Sequence, residues 1–103
     1  MTAIRRALAS IELADIALPS NLTYGSAIAR RGGVEMVAEE GSELEAWAGG
    51  LDGGARDGGG GRRRVRMWID DGELAWRCTG NPKDHEIFCK HCVAVAVHLR
   101  GVA

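Results

Sequence analysis

Residues 65–78 read VRMWIDDGELAWRC, and this stretch carries the clearest fold signal in the chain. Apolar and polar residues alternate on both sides of Asp71-Gly72, a dipeptide that is favoured in two-residue hairpin turns. The pattern predicts an antiparallel hairpin. Its second strand should end at Cys78, with the thiol on the face that also carries Leu74 and Trp76.

The sequence after this hairpin predicts a loop and then a helix. The segment 79–88 is expected to be a loop, because Asn81-Pro82 lies near its start. Residues 90–100 read KHCVAVAVHLR and predict a final helix closed by Gly101. The β-branched valines have modest helix propensity, so a buried strand is the alternative interpretation.

Two helices are predicted at the start of the chain. Apolar residues at helical spacing predict a first helix over 3–18, with Thr2 as its N-cap and Pro19 marking its end. A second helix is expected over 21–31, with Ser20 as its N-cap.

A first hairpin is predicted between these helices and the central stretch. Val34, Met36 and Ala38 alternate with Glu35 and Val37. After a short polar turn, Leu44, Ala46 and Ala48 alternate with Glu45 and Trp47. Together with the second hairpin, this gives a small antiparallel sheet of about four strands. We therefore predict an α+β fold, in which the final helix packs back on the sheet.

Glycine divides the chain unevenly. Eight of its 15 glycines lie within 49–61, which predicts a flexible, low-complexity loop that buries almost nothing. The part of the chain that can form a core is therefore smaller than its 103 residues suggest. We expect a metal or a partner to supplement that core. We divide the chain into an N-terminal helical segment, 1–21, and a domain over 22–103 that contains this loop.

Charge and hydropathy exclude several classes of protein. The formal net charge of -1 excludes a simple polycation, although residues 1–61 carry a balance of -4 and residues 62–103 a balance of +3. No apolar run reaches the roughly 18 residues that a membrane-spanning helix needs. The first ten residues do not have the pattern of a secretory signal, so we expect a cytoplasmic protein without a membrane partner.

The basic second part also holds every cysteine and every histidine of the chain. These residues are Cys78, His85, Cys89, His91, Cys92 and His98. An odd number of thiols clustered with histidines argues against a disulfide framework and indicates a metal site. Thiolate sulfur and imidazole nitrogen are ligands that zinc prefers, so Zn²⁺ is the expected cofactor.

Around these residues the chain resembles a known family. Residues 88–96 read FCKHCVAVA and follow a strand that ends LAWRCT at 74–79, a combination similar to the SWIM zinc finger. A weaker likeness extends upstream through YGSAIARRGGVE at 24–35, so that it covers roughly residues 22–100. The resemblance implies a structural zinc ion and binding to DNA or to other proteins.

The same resemblance assigns metal ligands by position. The family pattern is Cys-x-Cys followed, after a variable gap, by Cys-x-His. It matches Cys78 as the first ligand, Cys89 as the third and His91 as the fourth. The second position falls on Gly80, which has no side chain to coordinate a metal.

The missing ligand leaves several possibilities open. His85 is our first substitute because it lies between the two halves of the motif, and Cys92 and Asp84 are the second and third. Cys92 lies about 100° around a helix from His91, so a core position is its more ordinary interpretation. Water is a further possibility, as is a degenerate finger without metal. His98 is interpreted as a helix-end residue.

A dense run of arginines lies just before the metal motif. Arg62, Arg63, Arg64 and Arg66 are candidates for contacts with nucleic-acid phosphates, and Trp68 is a candidate for stacking on a base. The alternative is a solvated strand face that protects an exposed sheet edge.

We expect a non-catalytic zinc-binding module that mediates DNA binding. The alternative is a zinc-stabilised protein–protein interaction module without DNA binding. No paired carboxylates, nucleophile elbow or phosphate-binding loop points to an enzyme or to a small-molecule substrate.

Overall fold

The alternating segments form an antiparallel sheet of four strands, and helices lie before and after it in the chain. The computed structural model describes residues 2–49, 62–78 and 88–101. The elements are α1 (Ala3–Ser10), α2 (Leu13–Ile16), α3 (Pro19–Arg30), β1 (Val34–Glu40), β2 (Glu43–Gly49), β3 (Arg62–Asp70), β4 (Glu73–Cys78) and α4 (Lys90–Gly101). The strand order is β1-β2-β3-β4, and the predicted α+β class is confirmed.

The second hairpin has the predicted turn and register. Asp71 and Gly72 have φ values of 53° and 83°, the two positive angles that a type I′ turn requires. Across β3 and β4, Val65 pairs with Cys78 and Met67 pairs with Trp76. Directly paired residues share a face of the sheet, so the thiol of Cys78 lies on the face that is covered by helices.

The first hairpin departs from the predicted alternation at one point. A β-bulge lies between Met36 and Ala38, so the two residues no longer share a face. Ala38 is exposed, and the half-buried Glu39 takes the position opposite Leu44. The prediction that Ala38 continues the apolar face was therefore wrong, because one inserted residue reverses every later side chain on the strand.

The helical boundaries at the start of the chain also differ from the prediction. The expected helix over 3–18 is two helices, because Ile11 is extended with a ψ of 153° and ends α1. Pro19 does not end a helix but occupies the first turn of α3. Backbone N–H groups in the first turn have no partner within the helix, so the missing N–H of proline costs nothing there. Leu18 is the N-cap in place of the predicted Ser20.

The core lies between one face of the sheet and the helices. Its buried residues come from α1, α2, the α2–α3 connection, three strands, the last helix and a phenylalanine two residues before that helix: Ile4, Leu8, Leu13, Ala17, Leu44, Ala46, Ala48, Val65, Met67, Cys78, Phe88, Cys92, Val93, Ala94, Val95, Ala96 and Leu99. Segment 1–21 thus shares this core, and the proposed boundary at 21/22 falls inside α3. Apart from the buried Gly49, the described residues of the opposite sheet face are exposed or half-buried.

Helices α3 and α4 approach each other closely at Gly25. A β-carbon placed on Gly25 would lie 2.5 Å from Val93 Cβ and 2.6 Å from the Lys90 carbonyl oxygen. Both distances are far below van der Waals contact, so only glycine fits this position. The contact fixes the first turn of α4 against α3.

A polar network ties α1 to the first hairpin. Arg5 binds Glu39 through two hydrogen bonds, of 3.1 Å from Nε and 2.8 Å from Nη2. Thr2 donates its hydroxyl to the same carboxylate at 2.6 Å and, as the N-cap of α1, accepts the backbone N–H of Arg5. These hydrogen bonds lower the pKa of Glu39 below its ordinary value of 4.5. A lowered pKa means that the ionised carboxylate stabilises the folded state.

Replacing Glu39 by glutamine is expected to destabilise the protein by about 1 kcal/mol at pH 7, because a bidentate, half-buried ion pair is lost. The folded-state pKa lies below the unfolded one, so the contribution is complete above the ordinary value of 4.5 and disappears as the pH falls through the folded pKa. Urea titrations of both proteins at pH 7 and at pH 3 measure the difference. Glu40→Gln, an exposed neighbour, is the control, and an equal loss in that variant would contradict the assignment.

The described helices do not include one that is long and apolar enough to span a lipid bilayer.

Candidate metal centre

Three potential metal ligands meet where the last strand ends and the last helix begins. Cys78 is the final residue of β4, Cys89 directly precedes α4, and His91 lies in the first turn of α4. One ligand atom from each lies within 4.8 Å of the other two. The structure therefore brings together the three ligands that the motif predicts, and the group could hold a metal ion.

An aromatic contact holds the two ligand-bearing segments together. The rings of Trp76 and Phe88 meet edge to face, with their centroids 5.0 Å apart. Trp76 lies two residues before Cys78, and the fully buried Phe88 lies directly before Cys89. The sequence pattern pointed to neither as a site residue. The available signal was that each lies within two residues of a predicted ligand. An edge-to-face pair adds about 1 kcal/mol beyond its buried area, so the contact stabilises the approach of the two segments.

Two close contacts define the geometry of the donor atoms. Cys78 Sγ lies 3.7 Å from His91 Nδ1, and Cys89 Sγ lies 3.8 Å from Cys92 Sγ. Bonds of about 2.3 Å to sulfur and 2.0 Å to nitrogen at tetrahedral angles place a sulfur and a nitrogen about 3.5 Å apart and two sulfurs about 3.8 Å apart. The distance between Cys78 Sγ and His91 Nδ1 is therefore close to an edge of a zinc coordination tetrahedron, whereas Cys92 Sγ lies outside the group of donor atoms that are within 4.8 Å of one another.

The electrostatics of the cluster favour a thiolate at Cys89. Side-chain hydrogen bonds with Cys78 and with Cys92 lower the pKa of Cys89 far below its ordinary value of 9.0. The pKa of Cys92 is raised, first by its contact with Cys89 and then by burial. The thiolate is the form that binds metals, so this lowered pKa favours the metal-binding form of Cys89.

Burial distinguishes this group from a chance surface cluster. Cys78 is 6% exposed and His91 is 7% exposed, while Cys89 is half-buried. Two sulfurs and one imidazole nitrogen suit a borderline-soft divalent ion with tetrahedral preference, and the donors of a structural site are typically withdrawn from solvent.

The candidates for the fourth ligand are placed differently. His85, Asp84 and Gly80 lie outside the described residues, as does most of the predicted glycine-rich loop 49–61. Cys92 is fully buried among core residues, as its helical position predicted, and its sulfur also contacts Cys89.

The arginine run does not form one continuous strip. Arg64 and Arg66 lie on the outer face of the sheet, whereas the half-buried Arg63 pairs with Ala48 on the inner face. Arg62 belongs to β3, but its side chain is outside the described part of the structure. Trp68 is half-buried on the outer face, two residues after Arg66.

The guanidinium of Arg64 has partners on the neighbouring strand. Its Nε lies 2.7 Å from Glu45 Oε2, and its central carbon lies 4.9 Å from the centre of the Trp47 ring. Arg66 has a different environment, because it is exposed and lies directly opposite the exposed Arg77 of β4. The outer face therefore combines a neutralised arginine with an arginine pair of like charge.

Comparison of the chain with models of protein families, with curated proteins and with solved structures finds no match.

Proposed function

We propose that the chain is a non-catalytic zinc-binding module that binds DNA, of the kind that the SWIM resemblance implies. The observation that carries the proposal is the mutual approach, within 4.8 Å, of ligand atoms from Cys78, Cys89 and His91. Their order along the chain and the Cys-Lys-His spacing are those of the family pattern. Zinc is the ion that this donor set suits best.

The position of the site supports a structural role for the ion. Its ligands come from the end of β4 and from the start of α4, two elements whose core residues pack against each other. A metal at this point would cross-link the sheet to the helix, and its binding free energy would add to the stability of the fold.

The pairing of Arg66 with Arg77 supports an anionic ligand. Like charges directly opposite each other on adjacent strands are unfavourable. Neither guanidinium forms an ion pair with another described residue. A phosphate group held between them would relieve the repulsion through charge-assisted hydrogen bonds, which arginine forms in bidentate geometry.

A second candidate is a protein–protein module stabilised by the same metal. The observation in its favour is the mixed charge of the outer face, where Glu45 already neutralises Arg64 and Trp47 lies beneath the guanidinium. Tryptophan and arginine are enriched at protein interfaces, and acidic groups weaken attraction to phosphates.

Metal analysis of the purified chain tests the first part of the proposal. We expect elemental analysis to find one zinc ion per chain, and its removal by a chelator to lower the melting temperature. Protein isolated without metal, and unchanged in stability when zinc is supplied, would contradict the proposal.

DNA binding is expected to depend on the arginine pair. The double variant Arg66→Gln/Arg77→Gln should lose DNA affinity, and the slope of log K against log salt should become shallower by about 2, because two phosphate contacts are lost. Fluorescence anisotropy with a labelled oligonucleotide at several salt concentrations measures both quantities.

The control removes the same charge from a different surface. Arg30 and Arg31 are exposed at the end of α3, so Arg30→Gln/Arg31→Gln should retain most of the affinity and the wild-type salt slope. Equal losses in both double variants would contradict a localised site. Zinc-loaded protein without measurable DNA affinity would favour the protein-interaction function.

A further inference from the structure

The described part of the structure contains three donors for a tetrahedral metal, and one more thiol lies beside them. Cys92 Sγ is 3.8 Å from Cys89 Sγ, and Cys92 is fully buried. The Cys92 sulfur is therefore close enough to the site for a rotation of its own side chain to bring it into the group. We propose that Cys92 is the fourth ligand and takes the coordination position that Gly80 cannot fill. This inference rests on the proposed zinc function.

Helical geometry supports a shared role for Cys89 and Cys92. The two residues are three apart at the start of α4, and residues at this spacing lie on the same side of a helix. Cys-x-x-Cys is also a recurrent spacing in zinc sites, because it allows two sulfurs to reach one ion. His91 lies between them and reaches the ion from the adjacent position with a longer side chain.

The other described histidine of α4 cannot take this position. His98 follows His91 by seven residues, which is about 10.5 Å along the helix axis. A zinc-bound atom would have to lie about 4 Å from its fellow ligands. Among the described residues outside the three-ligand group, Cys92 is therefore the donor in contact with the site.

Coordination by Cys92 requires a small rearrangement and the loss of a proton. The sulfur is outside the group whose atoms lie within 4.8 Å of one another. A change of one staggered rotamer about the Cα–Cβ bond moves a cysteine sulfur by about 3 Å, which is enough to turn it toward the centre of the group. The thiol proton passes to solvent as the zinc–sulfur bond forms, because a bound dication strongly favours the thiolate.

X-ray absorption spectroscopy of the zinc-loaded full chain tests the assignment directly. We expect the zinc edge of the wild-type protein to show three sulfur neighbours and one nitrogen neighbour. Two sulfurs with two nitrogen or oxygen neighbours would overturn the inference. This measurement needs no variant, so it remains decisive even if a substitution in the core prevents folding.

Two variants supply a matched comparison. Cys92→Ser keeps the size of the side chain and should lower zinc affinity by about a hundredfold or more, since outer-shell changes alone cost 10–100-fold. In cobalt-substituted protein, Cys92→Ser should also remove about a third of the thiolate-to-metal absorption. His85→Ala should leave both the zinc affinity and this absorption unchanged. The opposite pattern would overturn the inference and identify His85 as the ligand.

A chain that binds no zinc overturns the inference together with the proposed function, whereas zinc bound by two sulfurs overturns the inference alone.

Discussion

Replacing His91 by alanine is expected to abolish stoichiometric zinc binding and to bring the protein to the stability of its metal-free form. The imidazole is one of three donors that meet within 4.8 Å, and it is 7% exposed, so water cannot readily replace it. Free zinc at a thousand times its dissociation constant stabilises a folded protein by about 4 kcal/mol. For a domain of this size, that amount corresponds to roughly 20 °C in melting temperature.

Calorimetry with and without a chelator measures this effect. The wild-type protein should lose about this amount of stability when the metal is removed, and His91→Ala should be insensitive to the chelator. His98→Ala, on the same helix and outside the metal group, should behave like the wild type. The metal assignment would be wrong if the wild type proved insensitive to the chelator, or if both histidine variants behaved alike.

A second large effect is expected from Gly25→Ala. In an isolated helix this change is favourable by about 1 kcal/mol, because alanine is the better helix former. Here the new methyl group would lie 2.5 Å from Val93 Cβ and 2.6 Å from the Lys90 carbonyl oxygen. Overpacking of a closed core costs about 1–3 kcal/mol or more, so the clash should reverse the sign of the change.

The position of the clash links stability to metal binding. Lys90 lies between the two ligands Cys89 and His91, so movement of the first turn of α4 would also displace the donor atoms. We expect a net loss of about 2 kcal/mol and weaker zinc affinity in Gly25→Ala. Thermal unfolding and a competitive zinc titration measure the two effects.

The control for this variant lies on the same helix. Thr23 is exposed on α3, and Thr23→Ala should be neutral or slightly stabilising, since alanine has the higher helix propensity. A stabilising effect of Gly25→Ala would show that the two helices are not in the close contact described above.

The sheet was predictable from the sequence because its signals are local. Asp71-Gly72 defines a turn by its own backbone preferences, and the alternation on either side determines which side chains face the core. The same alternation placed Cys78 on the inner face. The bulge near Val37 was not predictable, since the surrounding residues keep an ordinary strand composition and the extra residue is accommodated only by the pairing with β2.

The helical boundaries were less predictable because single residues have two interpretations. Pro19 is compatible with the end of one helix and with the first turn of the next, and the chain uses the second possibility. Apolar residues continue at helical spacing through Ile11, so the break there carries no sequence signal. The role of Gly25 depends on α4, which is distant in the chain, and local propensity says nothing about such a contact.

The candidate site was predicted in part. Cys78, Cys89 and His91 were identified from residue type, spacing and family likeness, and the structure brings them together. Cys92 was named only as the second substitute for the missing ligand, with a core position as its more ordinary interpretation, and the structure shows both its burial and its contact with Cys89. The arginine run supplied four candidates for phosphate contacts, but a strand sends consecutive side chains to opposite faces, so Arg63 lies on the inner face and Arg64 and Arg66 on the outer one.

The order of the elements along the chain has a consequence for biosynthesis. Each strand pairs with its neighbour in sequence, so the sheet can form step by step while the polypeptide leaves the ribosome. Its apolar face is covered in part by α4, which is translated after every strand and contributes the fully buried residues 92–96. A nascent chain halted before Lys90 would therefore lack this part of the core and leave part of the sheet's apolar face uncovered, and we expect chaperones to recognise it at that stage.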